Sequence, residues 1–241
     1  MIDAKSMKTR IAALLLPCLL LLPSPLLALQ KDEHKLVEFH MAFLRPSANW
    51  EFTKTEEGKS ILRQHQVTTL SMLRSDKAII VSSFGREQDR VVILILRAQS
   101  AAEAKAWVDE DAAVKAGLYI AEMHPWWSED IFRAPNSPLT IETLYLGFLK
   151  KGPNRKEGDG ETPEIQELQK AHLANINRLA KEKKLVMAGP FGDDGDLRGI
   201  FVFRVGSLKE AQELAASDPM IKIDRLRLEL HEWKVPAGVI P

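Results

Sequence analysis

The sequence predicts an α+β fold: two tandem ferredoxin-like modules, each β-α-β-β-α-β, packed sheet to sheet as an intrachain α+β barrel. Three observations predict it. The chain repeats itself at a spacing of about 107 residues. Each copy sets strand-like apolar runs between helix-like periodic ones. Finally, the last strand of each copy carries apolar residues on one face and a polar–aromatic row on the other, so a sheet covered by helices on one side still needs cover on its second side.

The repeat runs without a gap between residues 65–126 and 172–233, with 15 identities in 62 positions. Ordinary residue usage would give roughly four. His65 meets His172, Arg97 meets Arg204, Ser100 meets Ser207 and Asp111 meets Asp218. Glu122, His124 and Trp126 meet Glu229, His231 and Trp233. Upstream, "FHMAFLR" (39–45) meets "LYLGFLK" (144–150). The modules therefore span 33–127 and 141–236. The connector "WSEDIFRAPNSPLT" (127–140), with Pro135 and Pro138, reads as a linker.

The elements follow in order in the second module. Ile141–Leu149 is rich in β-branched and aromatic residues and reads as a strand. Thr162 followed by Pro163 is an N-cap with proline at the first helical position, and the helix continues to about Lys183. Along it Ile165, Leu168, His172, Ile176 and Leu179 form one stripe, which places His172 on the inward face. His65 repeats this placement among Ile61, Thr69 and Met72. Leu185–Ala188 and Arg198–Arg204 form a hairpin around "GPFGDDGDLRG" (189–199). "SLKE" (207–210) is a capping box, repeated as "SAAE" (100–103), and its helix ends near Ser217. The last strand is Asp224–Lys234, with Leu226, Leu228 and Leu230 under the helices. Arg227, Glu229, His231 and Trp233 face the other sheet, as do Glu122, His124 and Trp126 in the first module.

Composition bounds the function. Apolar residues make up 45% of 241, enough for packed cores. Lys+Arg and Asp+Glu are 33 each, so no basic excess points to nucleic acid. The N-terminus is a separate object: Lys8 and Arg10 precede an apolar run, Ile11–Leu22, that Pro23 and Pro25 close. That run is short for a membrane span and suits a secretory leader cut after Ala28, so residues 1–28 are expected to be a signal peptide, an uncleaved anchor being the alternative. The expectation is an exported protein, periplasmic or secreted, with no membrane partner after cleavage. The cut removes Cys18, the only cysteine, which excludes disulfides, thiol catalysis and zinc–thiolate sites from the mature chain.

Two constellations carry chemistry. The loop places Asp193, Asp194 and Asp196 within four positions, beside the helix that bears His172. A bare turn needs a glycine or two and not adjacent acids, and the first module holds Arg86 and Glu87 at the matching positions. The expectation is a His172 acid–base pair with Asp193 or Asp194, leaving Asp218 as a third candidate; the plain alternative is a satisfied core histidine. The second constellation is the inter-sheet face. Arg227, Glu229, His231, Trp233, Glu122 and His124, with His65, read either as a solvated face of local pairs or as the wall of a polar ligand cavity. No metal site and no cofactor are expected.

Four stretches of the second module, "AHL" (171–173), "AGPFGDD" (188–194), "SLKEAQELAASDPM" (207–220) and a last strand ending in "HEW" (231–233), resemble the YCII-related domain family of the dimeric α+β barrel superfamily. The likeness covers about 90 residues per copy. In the first module "SSFGRE" replaces "AGPFGDD" and "EDAA" replaces "SDPM". The resemblance implies a sheet-to-sheet barrel and a pocket with a histidine–aspartate pair, used in some members by enzymes of lyase or dehydrochlorinase type. Carried over, the histidine is His172 and the acid Asp193, Asp194 or Asp218. Where the family often has an arginine three residues before the histidine, this chain has Gln169 and Leu62. Two functions are compatible with these residues: an exported proton-transfer enzyme (lyase, dehydrochlorinase or isomerase-like) acting on a small organic molecule, or a non-catalytic extracytoplasmic ligand-binding or assembly module. In either case the chain is expected as an intrachain pseudo-dimer, with room for a further homo-oligomer.

Overall fold

The computed structural model describes residues 35–85, 90–156 and 162–241; the expected leader and Arg86, Glu87 and Asp89 lie outside the described residues. The first half runs β1 (Leu36–Pro46), a 3-10 turn (Trp50–Lys54), α1 (Glu56–Arg74), β2 (Ala78–Phe84), β3 (Val91–Leu96), α2 (Ala101–Asp109), α3 (Ala112–Lys115) and β4 (Tyr119–Glu129). The second runs β5 (Ile141–Lys151), α4 (Pro163–Lys181), β6 (Leu185–Pro190), β7 (Leu197–Phe203), α5 (Leu208–Ala215), α6 (Pro219–Lys222) and β8 (Leu226–Pro236). Each half builds a four-stranded antiparallel sheet, ordered β2-β3-β1-β4 and β6-β7-β5-β8.

Local sequence explains the helix ends. The Thr162 side chain accepts from Ile165 N–H with Pro163 behind it, and Ser100 and Ser207 accept from Glu103 and Glu210 N–H. The glutamates reach back one residue further than in a simple capping box, to Gln99 and Gly206 N–H at 2.7 and 3.0 Å. The sequence pattern did not distinguish α3 and α6, each a single turn. Asp111 and Asp218 start them, and the Asp218–Pro219 step is the same N-cap signal that opens α4. The last strand begins at Leu226, two residues later than expected, because Asp224 takes a left-handed backbone (φ 57) in the turn before it.

Each sheet has one face under its own helices. Ala42, Leu44, Leu94 and Leu96 pack there with Met72, Ala104 and Val108 in the first half; Tyr145, Leu149, Phe201 and Phe203 pack with Leu179, Ala211 and Ala215 in the second. The alternate strand residues meet between the sheets. Phe39, Met41, Phe43, Ile93 and Trp126 of one sheet share a single buried cluster with Leu146, Phe148, Phe191, Ile200 and Trp233 of the other.

The sheets also meet at their edges. β4 lies beside β6, and β2 beside β8. Gly192 N–H donates to Pro125 carbonyl at 2.8 Å, and Trp126 Nε1–H donates to Gly189 carbonyl at 3.3 Å. On the other seam Trp233 Nε1–H donates to Ser82 Oγ. A buried indole N–H needs such a partner, so each tryptophan is pinned by a group from the opposite half. Gly189 is required by this approach: a Cβ there would sit 2.0 Å from the Trp127 carbonyl oxygen.

Gly189→Ala is therefore expected to push β6 off β4 and lower stability by about 1–3 kcal/mol in urea unfolding. Gly206→Ala, where the nearest atom to a new Cβ is a Glu210 carboxylate oxygen at 3.6 Å, should stay within ~0.5 kcal/mol of the parent.

Candidate functional site

α4 carries His172 on its inward stripe, where the imidazole lies parallel to Phe201 of β7 (6.0 Å between centroids, 23° between planes). Its Nδ1 meets Asp218 Oδ2 at 2.7 Å. Asp218 is fully buried, and its other oxygen accepts Met220 N–H at 2.9 Å as the N-cap of α6. One carboxylate thus closes a helix end and holds a histidine. A hydrogen bond from the ring to this carboxylate engages Nδ1, which leaves Nε2 as the ring nitrogen outside the pair. Asn175 Nδ2 lies 3.5 Å from Asp218 Oδ2, at the edge of hydrogen-bond range.

The first half repeats the arrangement. His65 Nδ1 meets Asp111 Oδ2 at 2.8 Å, and Asp111 Oδ1 accepts Ala113 N–H at 2.9 Å at the start of α3. The surroundings differ. His65 faces Tyr119, 5.2 Å between ring centroids, and Tyr119 in turn packs on Trp50 at 5.0 Å. Burial pushes the Tyr119 phenol above its ordinary 10.0; the Asp111 charge adds to the rise and Arg90 opposes it.

The expected pairing of His172 with the aspartate loop is corrected. His172 lies against Phe201, which belongs to the helix-covered face of the second sheet. The loop follows Phe191, which belongs to the inter-sheet face, so the sheet separates them. Asp193 pairs instead with His124 of the first half: Nδ1 to Oδ2 is 2.6 Å. His124 packs against Phe43 and Phe191, and its Nε2 lies 3.0 Å from Glu122 Oε1 without hydrogen-bond alignment. Asp193 is fixed by Arg198 Nη1 on its carbonyl at 3.0 Å and Gly195 N–H on Oδ1 at 3.2 Å. Asp194 is exposed and gives its carbonyl to Lys151 Nζ at 2.8 Å.

The residues of the inter-sheet rows divide between core and rim. Trp233 is fully buried in the core shared by the two sheets. His231 stacks on Phe84 at 4.3 Å and bonds Glu229 at 2.9 Å; Glu229 and Arg227 stand at the exposed rim, as does Glu122 beside Arg45 Nε at 3.4 Å. His65 belongs to the helix-covered side of its own sheet with Asp111, away from His124 and Glu122. The rows run from core tryptophan to rim glutamate because strand alternation keeps them on one face while burial falls toward the strand end. Among the described residues, no group of three or more His, Cys, Asp or Glu is arranged to hold a metal ion.

Sequence reasoning ranked Asp218 third. The signal for it was present: both halves keep a histidine and an aspartate separated by the same 46 residues.

Residues 143–234 match the YCII-related domain. The chain is 37% identical over 70 residues to the uncharacterized protein YjpA of Bacillus subtilis (strain 168), an alignment that covers 29% of this chain and 80% of that protein. Among solved structures it is similar to a mutant chlorite dismutase from Candidatus Nitrospira defluvii, with TM-score 0.54 and 12% identity over 84% of this chain and 92% of that one. It is also similar to a heme-binding protein from Thermus thermophilus, with TM-score 0.51 and 12% identity over 85% and 94% of the two chains. At these identities the likeness is one of fold.

Two kinds of outcome are expected from the geometry, one from removing a paired carboxylate and one from changing pH. Asp218→Asn should destabilise by about 3 kcal/mol, since it breaks a fully buried pair. Asp193→Asn, at a partly exposed carboxylate, should cost ~1 kcal/mol or less in the same chemical unfolding assay. The second concerns Glu229, which Lys150 holds below its ordinary 4.5 by a hydrogen bond and its charge, against a smaller desolvation effect. A carboxyl lowered in the folded state contributes stability above its unfolded value and loses it as pH falls through the folded one. Lys150→Met should therefore lower the melting temperature at pH 7, and the gap to the parent should shrink toward pH 3.

Proposed function

The chain belongs to the YCII-related family through residues 143–234, and from that premise we propose that it is an exported small-molecule enzyme of proton-transfer type, lyase, dehydrochlorinase or isomerase-like. In this reading the two halves are tandem copies of one ferredoxin-like module, closed on each other as an intrachain α+β barrel. The supporting observation is the state of His172. Its Nδ1 is committed to a buried carboxylate whose other oxygen is committed to a helix N–H, so Nε2 is the ring atom left for chemistry. His172 takes a proton from an activated carbon of the substrate through Nε2. Asp218 is the positioning residue: it fixes the tautomer and stabilises the imidazolium that forms. The proton then returns to the product, or leaves with an eliminated group. The basic, apolar, proline-closed segment at residues 1–28 supports placing this chemistry outside the cytoplasm.

A second reading has its own observation. The first half, beyond the matched residues, keeps the same pair with the same cap geometry at His65 and Asp111. A latch tying the long helix to the one-turn helix would be kept in both halves whether or not either is catalytic. Under that reading the chain is a non-catalytic ligand-binding or assembly module.

Solvent-deuterium exchange separates the two. A panel of small 2-oxo acids, 3-hydroxy acids and chlorinated alkanes is incubated in D2O with the full chain and followed by proton NMR. The enzyme reading expects deuterium incorporation or elimination for at least one compound, slowed about 10²–10⁴-fold by His172→Gln and unchanged by Lys209→Ala on the surface of α5. Turnover that survives His172→Gln overturns the assignment. A panel member that raises the melting temperature without exchange or elimination supports the binding module.

A further inference from the structure

In the first half a tyrosine lies between two rings. Tyr119, at the start of β4, packs on Trp50 with 5.0 Å between ring centroids and on His65 with 5.2 Å. Tyr119 and His65 are each 7% exposed. His65 Nδ1 is taken by Asp111, but His65 Nε2 and Tyr119 Oη bond to nothing among the described residues. Neither is one of the unpaired side-chain atoms sealed from solvent, so each reaches the surface. A polar atom on a nine-tenths buried side chain is completed by water or by a ligand, and the charge beside it decides which ligands fit.

A cation stands at the same end of the sheet. β1 pairs with β3 at Leu44 and Val92, and with β4 at Pro46 and Tyr119. Carrying the first register two places further sets Arg90 opposite Pro46, so Arg90, Pro46 and Tyr119 form one row across three strands. Residues opposite one another share a face, and Leu44, Val92 and Tyr119 all belong to the helix-covered cluster. The row therefore lies on the side of α1 and His65, with the compact proline between the two longer side chains. Arg90 is exposed, and among the described residues no carboxylate pairs with it. Its charge reaches the phenol, where it opposes the rise that burial causes.

The free groups select the ligand class. The carboxylate whose charge also reaches the phenol is Asp111, and it is committed: Oδ2 to His65 Nδ1 at 2.8 Å, and Oδ1 to Ala113 and Val114 N–H at 2.9 and 3.3 Å. It lies on the Nδ1 side of the imidazole, away from Nε2. What remains open is an unpaired guanidinium and a phenol that burial keeps protonated at neutral pH. Both are donors, and together they match a charged acceptor. The second half has leucine at both matching positions, Leu197 and Leu226, so this pair of donors belongs to the first half. We propose that the first half binds a small carboxylate, held by the Arg90 guanidinium and the Tyr119 hydroxyl at the edge of the His65 ring. The site is independent of His172, which belongs to the other half.

Titration of the full chain at constant pH with acetate, acetamide and methylammonium, followed by NMR at the His65 imidazole, tests it. Acetate should shift that resonance saturably, the isosteric acetamide should bind about tenfold more weakly, and methylammonium should not bind. Arg90→Leu, an exposed change that installs the residue of the second half, should fold and weaken acetate about tenfold. Tyr119→Phe keeps the ring between Trp50 and His65, and should fold and weaken acetate about fivefold. His172→Gln should leave the affinity unchanged, which keeps this result separate from the enzymatic reading. No saturable shift with acetate, equal binding of acetate and acetamide, or undiminished acetate binding in either Arg90→Leu or Tyr119→Phe overturns the proposal.

Discussion

Each sheet is covered by its own helices on one face only, and the second face is buried only because the other sheet lies against it. The rest of the structure depends on that mutual closure. It converts Phe43, Phe148, Phe191 and both strand-end tryptophans from a wet face into one shared core. Fully burying such side chains contributes roughly 1.5–3 kcal/mol each. Apolar burial alone does not fix how two sheets align, because it is non-directional. The directional part comes from the indole N–H groups, each of which finds its acceptor across the seam, on Gly189 or Ser82. Sliding one sheet by a residue would leave two buried donors without partners. The polar ends of the same rows, Glu122 and Glu229, are left at the rim, where water and Arg45 or Lys150 balance their charge.

On the opposite faces the organising element is a carboxylate with two tasks. Asp111 and Asp218 each close a single-turn helix and each hold a histidine on the long helix. One turn of helix has almost no stability of its own, since nucleation fixes several residues for one hydrogen bond. The N-cap and the histidine together supply what propensity cannot. The pair therefore belongs to the fold before it belongs to any chemistry. That does not weaken the catalytic assignment: a base must be held in one tautomer and one orientation, and a carboxylate that already closes a helix end cannot drift.

This division explains what was legible in the sequence. The order of strands and helices, the inward stripe of α4 and the caps at Thr162, Ser100 and Ser207 could be read because each depends on neighbours within a few residues. His65 and His172 were legible as inward-facing for the same reason. Their partners were legible only in part: Asp111 and Asp218 stand at the same spacing of 46 residues in both halves, but the one-turn helices they cap give no periodic signal. The aspartate loop was misassigned for a third reason. Sequence places it next to α4 along the chain, but β6 and β7 carry it to the edge that meets β4, and its histidine comes from the other half. Only the way two sheets meet decides that contact, and no local pattern encodes it. His40 was likewise silent: in the run "FHMAFLR" it reads as one more strand residue, and only the register with Tyr145 reveals the exchange.

The two halves keep in common what closure and capping require: the tryptophans, the histidine–aspartate pairs and the capping serines. They differ where those demands are weak. The hairpin loop holds Asp193 in one half and, by sequence, Arg86 in the other. The strand position facing the helices is Tyr145 in one and His40 in the other. The aromatic ring against the paired histidine is Phe201 in one and Tyr119 in the other. Shared residues cannot make one half act differently from its twin. If the His172 pair performs chemistry that the His65 pair does not, the difference must come from these neighbours: an apolar ring stacked on one imidazole, against a phenol capped by Trp50 beside the other. In the enzymatic reading proposed above, selectivity is a property of the neighbours around each histidine, laid over a pair that the scaffold holds the same way twice.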